Sequence, residues 1–156
     1  MKNLRFVYII LIVLFSFSSC SNDDEPQDNG DLQMAVGVYE LVELNISPAQ
    51  DINNNGSSTS NVLSELPCAT GTLNLRSDGN WIWTFLEINV SSITGGDFSI
   101  TCTNSTTKRS GSWSISNNQI NLFDGANNYT FTKNEDQLSL STGEVLPGFL
   151  SAVYER

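Results

Sequence analysis

Thr72-Leu73-Asn74-Leu75-Arg76-Ser77-Asp78-Gly79-Asn80-Trp81-Ile82-Trp83-Thr84-Phe85-Leu86 is the stretch that decides the fold class. Its first five residues alternate polar and apolar, the period-two pattern that turns one row of side chains to a core and the other to water. Asp78-Gly79 follows, a pair suited to a tight hairpin because both residues tolerate positive φ. The chain returns through Trp81 to Leu86, which is apolar on both faces. Such a strand is either central in a sheet or turned toward a ligand.

The same pattern repeats on both sides. Ser112-Trp113-Ser114-Ile115 and Gln119-Ile120-Asn121-Leu122-Phe123 flank Asn117-Asn118, a second hairpin signal. Val36 to Ile46, Ser99 to Thr103, Tyr129 to Thr132, Gln137 to Leu140 and Leu150 to Tyr154 read as further strands. No segment sustains a 3.6-residue apolar period over a dozen residues. Eight or nine strands joined by hairpins, without a crossover helix, make an antiparallel up-and-down meander. Its edges need hiding, by closure into a β-barrel or folding into a sandwich. One apolar face per strand is enough for one barrel interior. Leu73, Leu75, Trp113, Ile115, Ile120, Leu122, Leu138 and Leu140 are expected inside. Thr72, Asn74, Ser112, Ser114, Asn121 and Ser139 are expected in water.

Gly37-Val38-Tyr39-Glu40-Leu41 resembles the G-x-[WY]-x-[LV] opening strand of lipocalin-like lipoproteins. The loop Asp51 to Gly56, the Cys68 region, Leu73 to Trp81 around Asp78-Gly79, and Gly111-Ser112-Trp113 with Asn118 resemble that family in order and spacing. The resemblance spans Val36 to Tyr154. It implies an all-β, lipocalin-like barrel of about eight strands over residues 36–156, and little about function.

Composition bounds the chemistry. The 156 residues carry a formal charge of −10 and no histidine, which removes the commonest general base and metal ligand. Loss of a leader holding Lys2 and Arg5 would take the charge to −12. A chain this acidic repels nucleic acid and anionic lipid, so nucleic-acid binding is set aside.

Residues 1–19 read as a signal peptide. Lys2 and Arg5 precede the apolar run Phe6 to Phe15, which is too short to span a bilayer. Ser16-Phe17-Ser18-Ser19-Cys20 resembles a bacterial lipobox, with Phe17 where that motif usually has Leu. The resemblance implies cleavage before Cys20 and acylation of that residue, palmitate being a typical chain. Residues 20–35 then read as a lipidated, flexible tether. Ser21 stands where an inner-membrane retention signal has Asp. The acidic cluster Asp23-Asp24-Glu25 resembles the export signal of surface lipoproteins, which implies an outer-membrane protein exposed at the cell surface.

Three constellations are candidates for chemistry. Cys68 and Cys102 are expected to pair, as two cysteines in an exported chain should. The loop they close is about 35 residues, worth roughly 4 kcal/mol by chain entropy. Asp51-x-Asn53-x-Asn55-Gly56 matches the first half of a calcium loop. Its twelfth position is Val62 rather than Glu, and Glu65 comes three residues late. The plainer reading is a loop whose side chains cap its own backbone, and no cofactor is expected beyond this calcium alternative. Trp81, Trp83, Phe85 and Trp113 are candidates for lining an apolar pocket, or for simply filling a small barrel.

Catalysis has little to build with. There is no Gly-x-Ser-x-Gly elbow, and Lys108-Arg109 reads as a solvated basic pair in a Ser/Thr-rich loop. The expected function is a non-enzymatic binding module for a small apolar ligand or envelope component, held to a membrane by its lipid anchor. The alternatives are a surface lipoprotein with a filled barrel that docks a protein partner, or a carbohydrate-binding accessory protein with exposed aromatics.

Overall fold

The computed structural model describes residues 29–141 and 149–156. The expected leader, Cys20 and most of the expected tether lie outside these residues. A short helix, α1 (Asn29–Ala35), precedes nine strands: β1 (Gly37–Gln50), β2 (Thr59–Asn61), β3 (Gly71–Leu75), β4 (Asn80–Ser92), β5 (Phe98–Ser116), β6 (Gln119–Phe123), β7 (Asn128–Asn134), β8 (Gln137–Ser141) and β9 (Phe149–Glu155). A single 3₁₀ turn, Val62–Ser64, follows β2.

Every pairing is antiparallel. Strands β3 to β9 pair in sequence order, and β1 joins β3 on one edge and β9 on the other. Eight strands thus close into the up-and-down barrel expected from the hairpin pattern, with β2 as an extra strand against β1. The alternation is obeyed. Leu73, Leu75, Trp113, Ile115, Ile120, Leu122, Leu138 and Leu140 are all buried in one core. Thr72, Ser112 and Ser114 are exposed, and Asn74, Asn121 and Ser139 half-exposed. Asn117 and Asn118 both take positive φ, at 50° and 62°, as their turn requires.

Three features differ from the sequence reading. The runs Ser99–Thr103 and Ser112–Ile115 are one strand, β5, and its pairing with β4 extends from Ser92–Phe98 to Asn80–Ser112. Lys108 and Arg109 therefore stand in the middle of a strand, not in a solvated loop. The Ser/Thr run between the two apolar segments hid the connection, although threonine suits a pleated surface. Second, α1 occupies the end of the stretch expected to be tether. Its Ala35 is buried, Leu32 packs on the core, and Tyr39 Oη donates to Ala35 O at 2.9 Å. Third, β2 carries no alternating apolar run. Asn61 fixes it instead, accepting from Leu44 N at 3.2 Å and donating Nδ2 to Val42 O at 3.3 Å. That side chain stands in for a strand on an edge of β1 that β3 does not reach.

The β4–β5 hairpin bends at a bulge. Leu86 pairs with Thr106 but Ile88 pairs with Cys102, so three β5 residues oppose Glu87 alone. Thr103 Oγ1 donates to Glu87 O at 2.9 Å and accepts from Ser105 N at 3.0 Å, which satisfies the disrupted ladder. Core-contacting side chains switch parity there, from Trp81, Trp83 and Phe85 to Ile88 and Val90.

Candidate functional site

The two ends of the barrel are built differently. At one end lie the turns of residues 76–79, 117–118 and 135–136. Trp81 fills this end with no exposed surface, its Nε1 donating to Ser112 O at 2.9 Å. Trp113 Nε1 donates to Arg76 O at 3.0 Å, so its polar edge is also met inside the protein. Arg156 laces the rim, with Nε on Asp136 Oδ1 at 2.8 Å, Nη1 on Val36 O at 3.1 Å, and its guanidinium 5.5 Å from the Tyr39 ring centre. This end is closed.

The other end holds a cavity of about 380 Å³. The strands explain why. β3 begins only at Gly71, opposite Phe85, while β1 and β4 both run on past it. β6 reaches no further than Phe123, opposite Ser112, while β5 continues to Phe98. Gly111 marks that rim, since a Cβ there would lie 1.8 Å from Phe123 O. The interior thus widens where partner strands stop. Apolar walls come from Leu41 and Leu44 of β1, Leu86 and Ile88 of β4, Leu140, and Ala152. An adjoining groove of about 330 Å³ continues over the outer face at the end of β3, lined by Thr72, Thr84 and Thr106.

Trp83 forms the floor and is 9% exposed. Its ring centre lies 5.1 Å from Phe85, 5.4 Å from Tyr129, 5.8 Å from Phe131 and 6.1 Å from Tyr154, the last three edge to face. Its Nε1 donates to Tyr154 Oη at 2.9 Å, leaving the ring body toward the cavity. Burial pushes the Tyr154 phenol well above its ordinary value, with the Trp83 donor opposing. The phenol therefore stays neutral.

Of the four aromatic candidates, the cavity gathers Trp83 and Phe85. Trp81 and Trp113 belong to the packed end instead, because they lie further along the same strands toward the tight turns. Neither Trp81 nor Trp83 stands in solvent, so the pair offers no open platform for stacking. Tyr129, Tyr154 and Arg109 were not among the sequence candidates. Tyr129 was open to discovery, since it shares strand parity with buried Phe131. Arg109 was not, because its direction depends on the continuity of β5.

Cys68 and Cys102 are disulfide-bonded, as expected, with Cα atoms 6.3 Å apart. The bond ties the segment just before Ala69 and Thr70 to the β5 residue opposite Ile88, and all three of these neighbours line the cavity. It therefore clamps one wall to another.

The Asp51 loop satisfies itself. Asp51 Oδ1 accepts from Asn55 N at 2.9 Å and Oδ2 from Gly56 N at 2.7 Å. Asn53 Oδ1 accepts from Asn55 N at 3.0 Å, and Asn55 Oδ1 from Ser57 N at 2.8 Å. Buried Glu65 lies against Asn53 N at 3.4 Å. The oxygens offered to calcium by the sequence are engaged with backbone N–H groups, the capping arrangement. Among the described residues, no three His, Cys, Asp or Glu side chains converge as a metal group.

Comparison with known proteins gives no significant match to any family model, curated protein or solved structure.

Proposed function

We propose that the chain is a lipocalin-like, membrane-anchored lipoprotein, a non-catalytic module whose barrel holds a small apolar ligand or envelope component at its open end. The observation that carries the reading is the cavity of about 380 Å³ floored by Trp83. Small-molecule sites run to about 300–1,000 Å³ and are mostly apolar with a few placed polar groups. Leu41, Leu44, Leu86, Ile88, Leu140 and Ala152 supply the first, and Arg109 and Tyr129 the second. A barrel that served only as a docking scaffold would have no need of a void, which costs contacts on every side.

The experiment is a tryptophan-fluorescence titration with hydrophobic probes. A saturable shift is expected, lost in Trp83→Phe and kept in Trp113→Phe. No saturable change with any probe would leave the docking reading in its place. Anchoring through Cys20 at the outer membrane, facing the cell exterior, completes the proposal. Cys20→Ala should move the protein out of the detergent phase in a partition assay, and an unmodified mature N-terminus by mass spectrometry would refute it.

A further inference from the structure

Arg109 stands opposite Trp83 in the β4–β5 register, so its side chain leaves β5 on the inner side. A cation turned into a small barrel is costly unless its donors are met. Nη1 donates to Tyr129 Oη, and it lies 3.5 Å from Asp124 Oδ2. Asp124 is a counter-charge on one side only, and it is shared with the backbone of its own turn. Oδ1 accepts from Ala126 N at 3.1 Å and Asn127 N at 2.7 Å, and Asn127 Nδ2 reaches both oxygens at 3.1 Å. A guanidinium carries five N–H donors. Among the described residues, no protein acceptor meets Nη2 or Nε of Arg109. The side chain is 39% exposed and lines the apolar cavity, so those donors sit where a ligand enters.

We propose that the cavity takes a single-chain amphiphile bearing one carboxylate, with Arg109 and Tyr129 as its head-group site. This rests on the ligand-binding reading above and names the ligand class. A planar guanidinium pairs two N–H donors with the two oxygens of a carboxylate. The tail lies along Leu41, Leu44, Leu86 and Ile88, over Trp83. At about 30 Å³ per water the cavity holds about a dozen, which suits a tail of roughly ten to twelve carbons. Glu87 limits the head group. It accepts from the Thr107 hydroxyl and lines the same cavity, so it opposes negative charge there, and a head group with more than the one charge that Arg109 can match is disfavoured most.

The test is calorimetric titration of the purified full chain at pH 8 with dodecanoate, dodecanol and dodecylamine, each below its solubility or micelle limit. Dodecanoate should bind about tenfold or more tighter than dodecanol, the scale of a hydrogen-bonded charge. That ratio should fall toward one in Arg109→Gln and be only partly kept in Arg109→Lys, which holds the charge without the paired donors and serves where the glutamine variant folds poorly. Added salt should shrink it. Equal affinity for dodecanoate and dodecanol overturns the head-group site while leaving the ligand-binding reading intact. Tightest binding of dodecylamine also overturns it, placing Glu87 and Asp124 in command of the site. If none of the three binds, the ligand-binding reading and this inference fall together.

Discussion

At the closed end of the barrel, Trp81 is packed on every side and its one polar atom is bonded to Ser112 O. At the open end, Trp83, two residues along the same strand, is packed on three edges by Tyr129, Phe131 and Tyr154 but borders a void. The two indoles share one sequence neighbour, Ile82, and have opposite roles. What separates them is their distance from the turns. Trp81 lies next to the turn of residues 76–79, which closes over the interior, whereas just past Trp83 β3 ends, at Gly71 opposite Phe85, and β4 runs on without it. Side-chain size alone does not decide whether a small barrel is filled, and the reach of the neighbouring elements counts as well.

The largest effect should come from the closed end. Trp81→Ala removes a fully buried indole and should cost about 3–5 kcal/mol. Phe85→Ala, half-buried at the cavity, should cost less than half as much, because it enlarges a space that already exists. Urea unfolding of both variants, read at equal m-values, checks this. Equal costs would erase the distinction between the ends.

Next comes the disulfide. Cys68→Ala with Cys102→Ala should lower stability by about 2–4 kcal/mol. It should also loosen the open end more than the closed one, since Cys68 precedes the cavity wall at Ala69 and Thr70. Amide exchange should rise along residues 86–102 and stay slow near Trp81 and Ile120. Uniform acceleration across the barrel would contradict the two-ended picture.

A smaller effect is expected at Tyr154. Tyr154→Phe leaves Trp83 Nε1 without its acceptor, a loss of about 1–3 kcal/mol at neutral pH. The alkaline limb sharpens it. Burial raises the folded-state phenol above the unfolded value, so its contribution is complete below about pH 10 and is lost as pH rises beyond that. The wild type should therefore lose stability more steeply above pH 10 than Tyr154→Phe. Burial also raises Tyr39 and Tyr129, so the variant's slope should shrink rather than vanish.

Much of the barrel was legible because local alternation carries it. Leu73 and Leu75, Ile120 and Leu122, and Leu138 and Leu140 show both the strand and its inner face from sequence spacing alone. The open end was legible only in part. Trp83 and Phe85 stand out by size, but what makes them line a space is the ending of β3 at Gly71, opposite Phe85, which is a property of another strand. Arg109 was misread for a related reason. Its run of Ser and Thr looks like loop, although the alternation of Ile115 and Trp113 runs back unbroken through Gly111 to Arg109 once β5 is continuous. The Asp51 loop shows the reverse case, where one motif fits two arrangements and the backbone bonds select between them.

The pairing of β1 with β9 has a kinetic meaning. The first barrel strand finds its second partner only when the last has been made, through Glu40–Glu155 at one end and Ile46–Phe149 at the other. Contacts so distant in sequence form late and slowly, because the chain between them must first be ordered. Leu44 and Ala152, paired across that seam, are both cavity walls. The binding space therefore depends on the pairing most distant in sequence, and ligand uptake during refolding should appear with barrel closure and not before it.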